Sequence, residues 1–316
     1  MRLRYLLLLI ALMCAQEILS AQSFQPAYMG ATMTVIDQLS PEQRKHCQFE
    51  MDAPHRTEWS RLPGKRLGLK LTAMSEGQKI AFHRMLRTFF PSQGYLKITA
   101  IMFNEDIQQK NEPVLGRNEY WLSIFGEVAE GKNWGWKLEG HHLSVNMSLR
   151  GDELIGFSPI TFASNPAVAH SDGARDGLAI LYHEEELARE LVQSFTDQQL
   201  AEGYSDRQKP KAVYGELNKN LADIPDEGIS ISKLSEAQQA LLQRLVSEYV
   251  HNFHSFEVPS IEEILNEKAR FFFIGSTVHG SGHYYKIENG EHFIEYENYD
   301  NHIHWLWRNP KDYGKE

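Results

Sequence analysis

Trp134-Gly135-Trp136-Lys137-Leu138-Glu139-Gly140-His141-His142-Leu143-Ser144-Val145-Asn146 reads as a buried β-strand that carries two histidines, a carboxylate and an amide. Successive side chains of a strand point to opposite faces. His142, Ser144 and Asn146 therefore share one face, and His141 lies with Leu143, Val145 and Met147 on the other. Polar groups are costly to bury unless they meet partners, so the stretch points to a sheet and to a site in which something polar is held. Glu139, His141 and Asn146 are candidate ligand-binding residues, and His142 is a candidate metal ligand.

The matching region lies near the C-terminus, where Tyr284-Tyr285-Lys286-Ile287 and Phe293-Ile294-Glu295-Tyr296 flank Asn289-Gly290. Asn-Gly between strand-like runs is a strong hairpin signal, because both residues of a tight two-residue turn need positive φ. Such a turn sets Lys286 opposite Phe293, Tyr284 opposite Glu295 and His283 opposite Tyr296. Alternation then puts Tyr284, Lys286, Glu295 and Glu297 on one face. On the next strand His302 and His304 share a face, while Ile303, Trp305 and Trp307 take the other. An even loop before this strand brings the two histidines onto the face of Glu295 and Glu297; an odd loop separates them.

A His-x-His pair with a third histidine and a carboxylate is how a sheet holds zinc or another borderline divalent metal, with neutral imidazoles supplying lone pairs. The same groups can exchange protons without a metal, or serve only as hydrogen-bonded structural residues. The metal set is His142, His302 and His304. Glu295 is the candidate general base, Tyr284 and Arg308 are further catalytic candidates, and His283 joins the ligand-binding group.

Outside these strands, Leu39-Ser40-Pro41-Glu42-Gln43, Met74-Ser75-Glu76-Gly77-Gln78, Phe195-Thr196-Asp197-Gln198-Gln199 and Leu234-Ser235-Glu236-Ala237-Gln238 each set Ser or Thr three residues before Gln. That is the capping-box spacing, and the segments after it keep no common period, so they are expected to be four independent helix starts. After Ser235, Leu241, Leu242, Leu245, Tyr249, Val250 and Phe253 form one apolar stripe. A helix beginning near His183 opens on Glu184-Glu185-Glu186, expected to be a solvated cap at the positive end of the helix dipole. Helices and strands alternate in blocks, which predicts an α+β fold with a largely antiparallel sheet and packed helices in a single compact domain.

Arg2 and Arg4 precede an apolar run from Tyr5 to Met13, and Leu19-Ser20-Ala21 offers small residues at a cut, the layout of a secretory signal peptide. The run is too short to span a bilayer. The expected organisation is a signal peptide over 1–21 and one domain over 22–316, exported to the periplasm or beyond, with no membrane span in the mature chain. Losing Arg2, Arg4 and Glu17, two positive charges and one negative, takes the formal net charge from −10 to −11. Cys47 is then the sole thiol and no intramolecular disulfide forms. With no Lys/Arg cluster against that acidic background, nucleic acid and anionic membranes are poor partners; a small-molecule substrate or ligand is the expected one.

Together these motifs resemble one family, catalogued as domain of unknown function 3500 and found mainly in exported bacterial proteins. The resemblance covers nearly all of the mature chain. It runs through Trp59, Pro63, Arg66-Leu67-Gly68-Leu69, Gly94-Tyr95, Ile124-Phe125-Gly126, Trp134-Gly135-Trp136, Glu139-Gly140-His141-His142-Leu143-Ser144, Asn165-Pro166-Ala167, Leu187-Ala188-Arg189, His283-Tyr284-Tyr285, Asn301-His302-Ile303-His304 and Trp307-Arg308. Two features depart from the family's usual pattern. The link before Asn301 is shorter, with Glu297 where relatives carry Asp, and relatives tend to continue past the element matched by Asp312-Tyr313-Gly314. The resemblance implies export and a site at these residues, and brings no substrate, reaction or cofactor. Two function classes follow: an extracytoplasmic, metal-assisted hydrolase, or a non-catalytic metal- or small-molecule-binding protein whose pocket is walled by Trp134, Trp136, Trp305 and Trp307.

Overall fold

The computed structural model describes residues 27–309, apart from 57, 61, 109–118, 171–172, 211, 215–223, 256–257 and 300; the expected signal peptide lies outside the described residues. All four Ser/Thr-to-Gln motifs start helices. In each, the hydroxyl accepts the Gln backbone N–H and the Gln side chain accepts the cap's own N–H. Among the described residues the helices are α1 (Tyr28–Gln38), α2 (Pro41–Cys47), α3 (Glu76–Phe89), α4 (Ser92–Gln108), α5 (Tyr182–Gln193), α6 (Asp197–Gly203), α7 (Glu236–Val250) and α8 (Ile261–Ile264). The last has a fifth capping box, Ser260 with Glu263. No helix among the described residues is long and apolar enough to cross a membrane.

The strands are β1 (Gln48–Phe49), β2 (Leu69–Lys70), β3 (Trp121–Gly126), β4 (Asn133–Glu139), β5 (Leu143–Arg150), β6 (Glu153–Gly156), β7 (Ile160–Ser164), β8 (Tyr204–Ser205), β9 (Ile229–Ser230), β10 (Arg270–Gly275), β11 (His283–Glu288), β12 (Phe293–Asn298) and β13 (Ile303–Arg308). They form one mostly antiparallel sheet in the order β1-β3-β4-β5-β7-β13-β12-β11-β10-β8. Helices and sheet make one α+β domain.

That order reads alike from both edges. β1 runs parallel to β3 and β8 parallel to β10; β2 pairs antiparallel with β3 and β9 with β10. The helices before each half match as well, α1-α2-α3 against α5-α6-α7. The cap glutamines clasp each other in the same way in both. Gln43 Nε2 donates to the Ala73 carbonyl and to Gln78, and Gln78 Nε2 donates to the Gln38 carbonyl and to Gln43. Gln199 Nε2 donates to the Lys233 carbonyl and to Gln238, and Gln238 Nε2 donates to the Ser194 carbonyl and to Gln199. Gly68 and Gly228 precede β2 and β9 with φ of +119° and +137°, each so close to a neighbouring carbonyl that a Cβ would lie 2.9 Å from it. The four helix starts are therefore two copies of a pair, and the expectation that they are independent is corrected: the chain is an internal duplication whose halves meet at the antiparallel pair β7–β13.

The two faces of the sheet differ. Alternation sends Trp134, Trp136, Trp305 and Trp307 to the helix side, where they pack edge-on against Phe89, Phe90, Tyr249 and Phe253. All four are at most 1% exposed. They form the core instead of the pocket walls expected of them, because they lie on the opposite face from His304. The other face carries Lys137, Glu139, Ser144, Asn146, Thr161, Glu295 and Lys286, also buried. Loops cover it. The Lys137 ammonium donates to the His55 and Glu58 carbonyls, Lys286 to the Pro225 carbonyl, and the Tyr214 N–H to Glu295. A buried backbone needs partners, and this polar face supplies them to the segments between β1 and β2 and between β8 and β9.

Three further expectations change. The opening stretch is a hairpin, with Glu139 paired to Ser144 across a turn at Gly140. A Cβ at Gly140 would lie 2.5 Å from the Tyr120 ring, so glycine admits this turn against that ring. The C-terminal hairpin has a four-residue connection, and Tyr284 pairs with Glu297 and Lys286 with Glu295. Asn289 closes it through its side chain, accepting from the backbone N–H groups of Glu291 and His292, and not through positive φ. A two-residue shift keeps parity, so the shared face stands, and Tyr284 still donates diagonally to Glu295 at 2.8 Å. Finally, the acidic start of α5 is not solvated: Glu184 and Glu185 are 0% and 4% exposed. Lys97 from α4 lies 2.9 Å from Glu184, and Arg189 lies 2.7 Å from Glu185.

Candidate functional site

At one end of the seam, β5 and β13 begin while β7 and β12 finish, so the residues just outside these strands converge. His142 precedes β5, His302 precedes β13 and Asn165 follows β7. The four-residue link between β12 and β13 is even, and it pairs His304 with Glu297. Helix α4 closes the group: Asn104 donates at 3.0 Å to both Ser164 Oγ and the Pro166 carbonyl, which seats the helix and its next residue, Glu105, over the strand ends.

The Glu105 carboxylate accepts from the His142 backbone N–H at 3.3 Å and lies 3.1 Å from His142 Nδ1. His142 Nε2 faces His302 Nε2 at 3.2 Å, and His302 Nδ1 is 3.3 Å from the Asn165 side-chain amide. Each ring thus has a side-chain partner at Nδ1 and turns Nε2 toward the other. The His141 ring stacks on His142 at 3.9 Å between centroids. Glu105, His141 and His142 offer ligand atoms all within 4.8 Å of one another and can hold a metal ion. Ligands on bonds of about 2.0–2.1 Å in a tetrahedral zinc site lie roughly 3.3 Å apart, which matches the His142–His302 spacing. His304 stands beside this group, its centroid 4.3 Å from His302 and 6.3 Å from His142. Its Nδ1 is 3.2 Å from Glu297 Oε1. A cleft of about 790 Å³ opens here, lined by His302, His304, Glu297, Tyr299, Lys209 and Arg207 among others.

The other sequence-derived candidates lie elsewhere. Glu295 sits opposite Leu306, one same-face position along from Glu297, and accepts from the Tyr214 backbone at 2.6 Å and from Tyr284. Burial raises the Tyr284 hydroxyl well above its ordinary range, with Glu295 adding to the effect. Arg308 is buried at the far end of β13, opposite Phe293. Asn146 donates to the Pro159 carbonyl at 2.8 Å. Glu139 pairs with Lys137 at 2.8 Å, and its carboxyl is pushed up by burial against the pull of that lysine. His283 is on the helix side, stacked between Phe273 and Tyr296, with Nδ1 2.9 Å from Arg189.

Sequence reasoning did not single out Glu105, which has no local signal in its helix, nor Asn165 beyond its place in a motif. A second carboxylate–histidine group, Glu185, Glu186 and His279, can also be drawn. There Glu185 is engaged by Arg189, Tyr296 and Asn298, and His279 is exposed, so the group is a structural knot at the start of α5.

Nothing among curated proteins or solved structures matches the chain at a significant level. A family model described as a protein of unknown function (DUF3500) matches residues 23–315, nearly the whole length. By that match the chain belongs to the DUF3500 family, whose function is unknown.

Proposed function

We propose that the chain is an exported enzyme in which a zinc-like divalent ion, held at the seam by Glu105, His141 and His142, assists hydrolysis of a small molecule in the adjoining cleft. The observation that carries this is the meeting of these three side chains, whose ligand atoms all lie within 4.8 Å of one another. Beside them His302 Nε2 comes within 3.2 Å of His142 Nε2, while the Asn165 amide engages its Nδ1. Three protein ligands leave a fourth tetrahedral position for water, the arrangement of catalytic zinc sites. The cleft beside His302 gives a substrate access to it.

A second reading rests on the 3.2 Å approach of His142 Nε2 to His302 Nε2. If Asn165 donates to His302 and His302 to His142, which donates to Glu105, the chain of hydrogen bonds closes without a metal, and the cleft belongs to a non-catalytic binding protein. Zinc content decides between the two. Untagged protein equilibrated with zinc and dialysed is expected to retain about one ion per chain by mass spectrometry of the metal. His142→Ala and Glu105→Ala should lose it. Wild-type protein that emerges without metal would favour the closed hydrogen-bond chain.

Export is supported by the basic start, short apolar run and small residues at 19–21. Intact-mass measurement of the extracytoplasmic protein is expected to give a chain beginning at Gln22. Recovery there of a chain that retains Met1 to Ser20 defeats this part of the proposal.

A further inference from the structure

The two halves of the chain differ at the wall of the cleft. β3 and β4 pair Gly126 with Trp134 as β10 and β11 pair Gly275 with His283. In that common register Ser148, opposite Gly135, corresponds to Glu297, opposite Tyr284. Arg56 donates to the Ser148 hydroxyl, so the first half closes this position with a hydrogen bond, and the fold does not call for a carboxylate there. In the second half the carboxylate is 1% exposed and still lines the cleft. Its Oε2 is buried and accepts no hydrogen bond among the described residues. The neighbouring cation, Lys209 Nζ, stands 3.8 Å from that oxygen, beyond hydrogen-bond range, and 4.4 Å from the centre of the Tyr299 ring. A buried acceptor without a donor is costly, and the space beside this one is a cleft.

We infer that this wall recognises a small zwitterion of the α-amino-acid class. The ligand's ammonium takes the place between Glu297 and the Tyr299 ring that the Lys209 ammonium now holds, donating to Oε2 with its charge against the ring face. Lys209, on a flexible four-carbon stem, turns to the ligand's carboxylate. Charge selects this class. A simple amine brought to Glu297 would meet the charge of Lys209, and a simple carboxylate brought to Lys209 would meet that of Glu297; like charges this close repel. In an α-amino acid the nitrogen and the carboxylate carbon are roughly 2.5 Å apart, so both charges of the wall find their opposites in one ligand. Tyr204, Tyr299 and Pro210 in the lining give its side chain an apolar surface. The inference rests on the cleft being a ligand site, which both readings above share, and it needs no ion.

The test is isothermal titration of the full chain, freed of metal with a chelator because amino acids themselves bind zinc. The probes are L-phenylalanine, phenethylammonium and 3-phenylpropionate, which share a ring and differ in charge. L-phenylalanine should bind at least roughly 10-fold more tightly than either single-charge probe, and Glu297→Gln and Lys209→Met should each weaken it roughly 10–100-fold. Thermal unfolding of each variant checks that it is folded, and Lys209→Met keeps the test open should Glu297→Gln fail to fold. A single-charge probe that binds as tightly as L-phenylalanine overturns the inference. So does wild-type affinity in either folded variant, or a wild type that binds none of the three. The metal centre stands or falls separately: a chain that retains no zinc yet binds L-phenylalanine sinks only that centre, and one that retains zinc and binds no L-phenylalanine sinks only the zwitterion site.

Discussion

Replacing Arg189 with methionine is expected to cost about 3–5 kcal/mol of folding stability, the usual consequence of removing one partner of a buried ion pair. Arg189 is 2% exposed on α5. Its guanidinium donates to Glu185 Oε1 at 2.7 and 3.2 Å, to the Ser276 and Ser281 carbonyls at 3.0 Å each, and to the Val278 carbonyl. Methionine fills much of the space and returns none of these bonds. Glu185 would keep only the neutral donors Tyr296, Asn298 and the Gly280 N–H. Three carbonyls of the loop between β10 and β11 would lose their common donor, and that loop borders the cleft through Ser276 and Gly282. Urea unfolding followed by tryptophan fluorescence reads the loss directly, and Tm should fall by roughly 10 °C. A cost below about 1 kcal/mol would mean that water replaces the guanidinium and that the knot is not structural.

Acid should weaken the fold over a defined window, and His283 is the reason. Burial holds its imidazole down at about 4, helped by Arg189 and opposed by Glu185. In the unfolded chain a histidine takes up its proton near pH 6.5. Above that pH both states are neutral and the contribution is fully present. As pH falls from about 6.5 to about 4, the unfolded state binds a proton that the native state refuses, so up to about 3 kcal/mol is lost. Glu185 acts further down. Although burial opposes it, His283, Arg189 and Asn298 hold its carboxyl below the ordinary range, so its contribution is present above the unfolded carboxyl pKa and disappears as pH falls through the folded one. His283→Phe keeps a ring in the slot between Phe273 and Tyr296 and removes the histidine's share. Urea midpoints at pH 7.5, 5.5 and 4.5 should therefore fall less steeply in the variant. His55, His83 and His254, also lowered by burial, leave it a residual slope. Parallel curves for the two proteins would show that His283 does not govern the acid response.

Local chemistry was legible from the residues. The Ser/Thr-to-Gln boxes fix helix starts because both bonds of the box lie within four residues, and alternation fixed the faces of β11, β12 and β13. The duplication was not legible, because the cap glutamines that clasp each other are 35 residues apart in one half and 39 in the other; unequal loops erase the period while the contacts persist. The choice between Glu295 and Glu297 hung on the register of β12 with β13, where the link before β13 pairs His304 with Glu297 and Leu306 with Glu295; alternation gives the shared face and not the register. Glu105 reaches His142 from helix α4, 37 residues away, and nothing in its neighbourhood marks it. The acidic start of α5 misled because Lys97, the cation that allows Glu184 to be buried, lies 87 residues earlier.

The palindromic strand order has a consequence for how the molecule is made. Glu105, His141, His142 and Asn165 leave the ribosome with the first half of the chain, and Glu297, His302 and His304 arrive only with its last two described strands. Until β13 slots against β7, His142 Nε2 has no facing imidazole. A polypeptide cut short before residue 302 already carries Glu105, His141 and His142 and lacks the imidazole that faces them. That facing wall forms only when β13 docks on β7, so the two copies must meet before the candidate centre is enclosed.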